Sequence, residues 1–456
     1  MSNCVLWRHR SERSRPFFPF SLVAAGRAIA LVALFGAATS PTAAQQVQVS
    51  VEVDFGADRP RVVRSVTVER GTDVVTATRA ALPVEQDWLC CSNEDVWSID
   101  GIGPDPRLDR YWSWRLGDRP GPNLPARHRL QGGETVRWQY GAGAMAEPSS
   151  VRVVSLLPAA TEITIAVGGE RSLVAVSHLC RQPPGASLPR VLRTSIDSDA
   201  WSMGRIDREL REATTAGADL YRLDEAAIST LRPTHVFSQG LCPVCAVTPD
   251  RITSALDKDT GPCAELVVLS PRSLAGIADD IRTVGKAVGR EHAGRVAARA
   301  FERRLAAVRE LAPLPRRPRV AVLEWFDPLW ASGEWIAELV EIAGGVPVLV
   351  GKDQPSRRLS WAELVAADPD VIVLAACSMS IARAERELPA LLRDPAWPTL
   401  RAVQAGRVFL MDGERHFSTP GPGVARGGEA LARLLRTMPT PNSDASTDEW
   451  RQVLPR

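Results

Sequence analysis

From residue 151 onward the chain alternates between short apolar runs and longer amphipathic ones. The apolar runs fall at residues 151–156, 173–177, 234–239 and 264–269, and again at 319–324, 370–375 and 407–411. Near-continuous apolar runs separated by helical segments predict buried parallel strands with both faces covered. Between the two sets lies EHAGRVAARAFERRLAAVREL, residues 291–311. It has no proline and places Val296, Ala300, Phe301, Leu305 and Val308 near helical spacing. A helix of that length spans roughly 30 Å. Two α/β halves, residues 151–288 and 318–436, joined by one long helix predict two lobes with a cleft between them.

The chain before this region is patterned differently. Residues 48–54 and 65–69 alternate strictly, 71–82 have helical character, and 96–99, 110–116 and 134–140 are strand-like between Gly/Pro/Asp turns. Residues 47–141 therefore read as a small β-rich domain. Its aromatic residues, Trp88, Trp97, Tyr111, Trp112, Trp114, Trp138 and Tyr140, either fill its core or leave an exposed platform for a flat ligand. GAGAMAEPSS, within residues 141–150, is a linker by composition, and residues 439–456 are expected to be a tail.

The first 44 residues carry Arg8, Arg10, Arg13 and Arg15, then an apolar run at 28–38, then Thr42-Ala43-Ala44. That order is the pattern of an export signal. No adjacent arginines mark a twin-arginine signal and no cysteine sits at the cleavage site, so neither that route nor a lipid anchor is expected. Net charge is +2 and charged residues make up 24%, which excludes a nucleic-acid partner on charge grounds. Eight cysteines are present, and loss of Cys4 with the signal leaves an odd number.

In open α/β sheets ligands bind beyond the carboxyl ends of the strands. At those ends stand His178 and Cys180, the pair in Leu-Cys242-Pro-Val-Cys245, Cys377, the stretch Trp325–Trp330 and the stretch Asp412–Phe417. His178 is either a hydrogen-bonded structural histidine or a ligand to a late transition metal. Cys242 and Cys245 have three readings: a disulfide, a metal or cobalt thiolate contact shared with His178, Cys180 or Cys377, or a redox pair. Six scattered histidines do not make a zinc or manganese site. No Gly-x-Ser-x-Gly, His-Glu-x-x-His or phosphate-binding glycine loop is present, so an enzyme is not expected.

The segments VVSLLPAATEI, VAVSHLCRQPP, LYRLDEAAISTLRP, SQGLCPVCAV, EWFDPLWASGEWIAELVEIAGG, LSWAELVAADPDVIVLAAC and FSTPGPG carry a resemblance to the cobalamin-binding members of the class III periplasmic binding proteins. The resemblance covers residues 151–436 and implies two α/β lobes joined by the 291–311 helix. The ligand it implies is cobalamin or a related corrinoid. Haem, a siderophore, or a redox or sensory role for the cysteine pair are the alternatives. Carried over by position, Pro158, Ala159, His178, Leu179, Trp330 and Phe417 become ligand contacts beside Cys242 and Cys245. Close relatives tend to carry arginines where this chain has Thr419 and Gly423. An ABC permease is the implied partner, and the protein is expected to be a monomer. The two positions for permease-docking carboxylates hold Ala226 and Ala362, with Asp224, Glu225 and Glu363 beside them as substitutes. VWSIDGIGPDPRLDRYWSWRLGD and GGETVRWQY also resemble the small β domain that closes over cobalamin in intrinsic factor and transcobalamin.

Overall fold

The computed structural model describes residues 45–86, 96–108, 110–142, 150–240, 252–253, 264–438 and 446–453. The described residues fold as two compact units, one within 45–103 and 112–141 and one within 104–111 and 142–453.

The smaller unit is organised by alternation. In strand Gln46–Asp54 the side chains of Val49, Val51 and Val53 point inward, and this strand pairs antiparallel with Val62–Glu69 and parallel with Thr135–Ala142. Arg110–Leu116 and Arg119–Pro120 complete a five-stranded sheet, while Val84–Gln86 and Val96–Ile99 form a separate hairpin. Helix Val74–Ala81, capped by Asp73, presents Val74, Val75, Ala77 and Ala81 to the core. The aromatics complete that core. Trp138 is 2% exposed and its indole donates to Thr78 Oγ1 at 2.8 Å. Trp112 and Trp114 pack with Trp138 on one face and donate to backbone carbonyls of Ile102 and Asn123. Of the named aromatics, Trp138 and Tyr140 are buried and Trp112 and Trp114 pack half-buried against that core, while Trp97 and Tyr111 are half-buried; Trp88 lies outside the described residues.

The larger unit has the two lobes that the pattern predicts. In the first lobe the strand order is Tyr221–Leu223, Arg190–Thr194, Leu173–Ser177, Val153–Ser155, His235–Gln239, Glu265–Leu269. All neighbours are parallel except the outermost pair, Arg190–Thr194 with Tyr221–Leu223. In the second lobe Arg319–Phe326, Val371–Leu374 and Val408–Met411 run parallel at the centre. Antiparallel strands lie outside them: Leu329–Ala331 and Arg357–Arg358 on one side, Trp450–Gln452 on the other. The segment expected to be a tail thus supplies an edge strand. Trp450 is 6% exposed and Gln452 Nε2 donates to the Gly406 carbonyl.

The linking helix runs Glu291–Arg309 and buries Val296, Phe301, Leu305 and Val308, while Ala300 stays half-buried. It packs against helix Leu274–Ala287 so closely that a Cβ on Gly285 would lie 2.5 Å from Gly294 Cα. On its other side Arg304 grips Glu429 of the last helix, Gly423–Thr437, through two hydrogen bonds of 2.7 and 2.8 Å. One apolar core, including Ile163, Ile281, Phe301, Leu339 and Leu431, runs through both lobes by way of this helix.

A second element also joins the lobes, and the apolar pattern did not predict it. Helix Met203–Ala216 follows strand Arg190–Thr194 of the first lobe in sequence, yet Met203 (0% exposed) and Ile206 (4%) sit in the second lobe's core with Leu323, Phe326 and Leu374. Burying side chains of this size contributes about 2 kcal/mol each.

Candidate ligand-binding site

The carboxyl ends of the two sheets carry the site residues. After Val153–Ser155 the chain turns into helix Pro158–Ala166, with Pro158 at the first helical position, where its missing N–H costs nothing. Pro158 is half-buried at this rim, whereas Ala159, 2% exposed, belongs to the core. Further along this helix Glu162 Oε1 accepts the backbone N–H of Gly423 at 3.1 Å, a bond from the first lobe to the second. Burial pushes the Glu162 carboxyl up to about 7, against the pull of Gly423 N–H and the Arg181 charge. Arg181 in turn pairs with Glu414 of the second lobe at 3.3 Å.

After Leu173–Ser177 the turn is stapled by Arg190, whose Nη1 donates to the carbonyls of Ser177, His178 and Cys180. His178 is half-buried with its ring 6.1 Å from that of Tyr221, and its Nδ1 is buried with no hydrogen-bond partner. Burial lowers its pKa, so the imidazole is neutral at pH 7. Leu179 is 36% exposed, an apolar side chain standing free on the rim. Cys180 points the other way. Its buried thiol lies 3.1 Å from Ser177 Oγ and 3.8 Å from the Ser155 carbonyl.

In the second lobe strand Arg319–Phe326 ends in the turn Asp327-Pro328, and Trp330 stands half-buried across from Trp325. Cys377 is half-buried and held by its N–H to the Glu324 carbonyl at 2.9 Å. Phe417 is 2% exposed in the core, and its carbonyl accepts the Trp335 indole N–H at 3.0 Å. The structure therefore brings Pro158, His178, Leu179 and Trp330 to strand ends with accessible surface, and places Ala159 and Phe417 in the core behind them. Cys242 and Cys245 lie outside the described residues. Among the described residues no three His, Cys, Asp or Glu side chains are grouped to hold a metal ion; Cys242 and Cys245, expected to share a metal contact with His178, Cys180 or Cys377, lie outside them.

The departure at Gly423 has a steric reason. A Cβ there would meet the Arg415 carbonyl at 2.2 Å and Glu162 Oε1 at 3.1 Å, which leaves no room for an arginine. Thr419 is 8% exposed. A cavity of about 430 Å³ opens beside Pro328, Trp361, Arg393 and Asp394. Sequence reasoning singled out neither this cavity nor Glu162, although Glu162 stands inside the VVSLLPAATEI motif.

The substitute docking carboxylates are occupied locally. Asp224 caps helix Glu225–Leu231 by accepting from Ala227 N–H at 3.0 Å. Glu363 closes a capping box with Ser360 and pairs with Arg357 at 2.7 Å. Ala226 and Ala362 hold the same place, the second residue of two short helices, one per lobe, and both are exposed.

Residues 153–414 match the periplasmic binding protein family, more than half of the 456-residue chain, and the protein belongs to that family. It is a family of substrate-binding proteins, not enzymes. Solved structures similar to the chain include the periplasmic vitamin B12 binding protein BtuF of Vibrio cholerae, with 23% identity, 64% of this chain and 98% of that chain covered, and a TM-score of 0.46. A periplasmic heme binding protein from Pseudomonas aeruginosa is 20% identical over 66% of this chain and 97% of that chain, with a TM-score of 0.45. The periplasmic heme-binding protein RhuT from Roseiflexus, in apo form, is 22% identical over 62% and 96%, with a TM-score of 0.46. No curated protein matches the sequence. Among the described residues no helix is long and apolar enough to cross a membrane.

Proposed function

We propose that the protein is exported, captures cobalamin or a related corrinoid between its two lobes, and delivers it to an ABC importer. The observation that carries this reading is His178. A neutral, half-buried imidazole placed at a strand end beside exposed Leu179 is suited to a metal-centred ligand with large apolar faces. The motif resemblance over residues 151–436 supports a corrinoid in particular, and the β unit's resemblance to the cobalamin-closing domain points the same way. The same imidazole also suits haem iron, which keeps haem as the second reading.

A visible absorption titration of residues 45–456 with aquocobalamin, repeated with haemin, tests the proposal. Saturable uptake of aquocobalamin with a shifted corrin spectrum, and a weaker response to haemin, is the expected result. Preference for haemin moves the assignment to haem, and no uptake of either removes both. A Cys242→Ser/Cys245→Ser variant separates a thiolate contact, which abolishes the shift, from a disulfide clip, which leaves it.

A further inference from the structure

We propose that residues 196–216 form a detachable strap that closes one side of the cleft and fixes the gap between the lobes. The segment leaves the carboxyl end of strand Arg190–Thr194 in the first lobe, and its helix begins at the carboxyl end of strand Arg319–Phe326 in the second. It therefore spans from one set of strand ends to the other, on the side where ligands enter. The chain then returns to the first lobe as strand Tyr221–Leu223, paired with Arg190–Thr194. With the linking helix, the described residues pass between the lobes three times: out before Met203, back after Ala216, and along Glu291–Arg309.

The seat of the strap is specific. Arg383 and Glu387 of the second lobe form an ion pair of 2.6 Å, each side chain 8% exposed, and both also hold the strap. Arg383 donates to the carbonyls of Ser198 and Trp201 at 3.0 and 2.6 Å, and Glu387 accepts Met203 N–H at 3.0 Å. The carboxylate of Asp327 also lies against the helix start, where a Cβ on Gly204 would come within 2.3 Å of Oδ2. Two carboxylates at the amino end of a 14-residue helix are favoured by its dipole. One turn further on, Asp207 takes Arg358 of the second lobe at 3.0 Å. Beyond Asp207 the anchoring fades. Residues 213–219 are half-buried or exposed, and the helix ends on Gly217 in the left-handed conformation.

The anchors gather at one end of the segment and the return is open, so its hold on the second lobe rests on the Arg383–Glu387 seat, the Asp207–Arg358 pair and the burial of Met203 and Ile206. With the strap seated, three connections hold the lobes, so a ligand is admitted by release of the strap and not by a hinge about the linking helix. The inference does not depend on which ligand is bound.

Hydrogen exchange on the full mature chain tests it without any ligand, comparing wild type with Glu387→Gln and Arg358→Met. In wild type, amides of 203–212 are expected to exchange more slowly than those of the exposed helix Glu225–Leu231. In the variants they should speed up by roughly tenfold or more, with strand Val371–Leu374 and the linking helix unchanged. Wild-type exchange at 203–212 as fast as in 225–231 would overturn the seating. Acceleration of 371–374 to the same degree would make the segment an inseparable part of the lobe and overturn the detachment. If Glu387→Gln unfolds the lobe by leaving Arg383 unpaired, Arg358→Met decides alone, since Arg358 is 47% exposed and lies outside that buried pair.

Discussion

The backbone N–H of Gly423 donates to Glu162 Oε1 across 3.1 Å, tying the first helix of one lobe to the start of the last helix of the other. Burial raises this carboxyl from 4.5 to about 7. A carboxyl raised in the folded state contributes its stability fully below its unfolded value and loses it as pH climbs through the folded value. Stability is therefore expected to fall between pH 4.5 and about 7 on account of Glu162. Glu162→Gln keeps an acceptor for Gly423 and removes the charge. It should flatten that slope and raise stability at pH 8 by about 3 kcal/mol, read from urea unfolding at several pH values. An unchanged slope in the variant would refute this assignment.

At the crossing of helices Leu274–Ala287 and Glu291–Arg309 the two backbones meet at Gly285 and Gly294. Gly285→Ala places a methyl 2.5 Å from a backbone Cα and forces the linking helix outward. A loss of about 1–3 kcal/mol is expected despite alanine's better helix propensity. A thermal shift upward would mean the crossing relaxes freely.

The half-buried imidazole of His178 makes a pH prediction for ligand uptake. Because burial lowers its pKa, the loss of the spectral shift on acidification should have its midpoint below the ordinary histidine value of about 6.5. His178→Ala should abolish the shift while leaving the circular dichroism spectrum intact. Retention of the shift in the alanine variant would remove the imidazole from the site.

Glu363 is held down to about 2 by the Ser360 N–H, Arg357 and the Ser360 hydroxyl. A depressed carboxyl stabilises above its unfolded value and loses that contribution as pH falls toward the folded one. Glu363→Gln should therefore lower stability in the neutral range and flatten its fall between pH 4.5 and about 2, read from urea unfolding at several pH values. Ser360→Ala, which removes the cap itself, should cost about 1 kcal/mol at any pH.

The central strands were legible because burial on both faces writes them as unbroken apolar runs: Val371–Leu374 and Val408–Met411 are buried at every position. The edge elements were not. Arg190–Thr194 and Tyr221–Leu223 carry Arg190, Arg193 and Arg222 at exposed positions, which breaks the run. Helix Met203–Ala216 has a capping serine, Ser202, and a closing glycine, Gly217, but only a narrow apolar stripe among Arg205, Asp207, Arg208, Glu209, Arg211 and Glu212. The partner of Met203 is Phe326, 123 residues downstream, a distance no local pattern encodes. At the candidate site, strand-end reasoning picked out positions by their place after a strand and carried no information on exposure: Leu179 is 36% exposed, whereas Ala159 and Phe417 are 2% exposed.

Because Met203 and Ile206 complete the core of the second lobe, the halves of this protein are not interchangeable cassettes. A gene fragment beginning after the linking helix would encode a lobe with two vacancies at its centre. A fragment ending before that helix would carry two apolar side chains with nowhere to go. Swapping halves with a relative that lacks the 196–216 segment should thus yield less stable chains, and full stability is kept only in exchanges that carry the segment and its socket together.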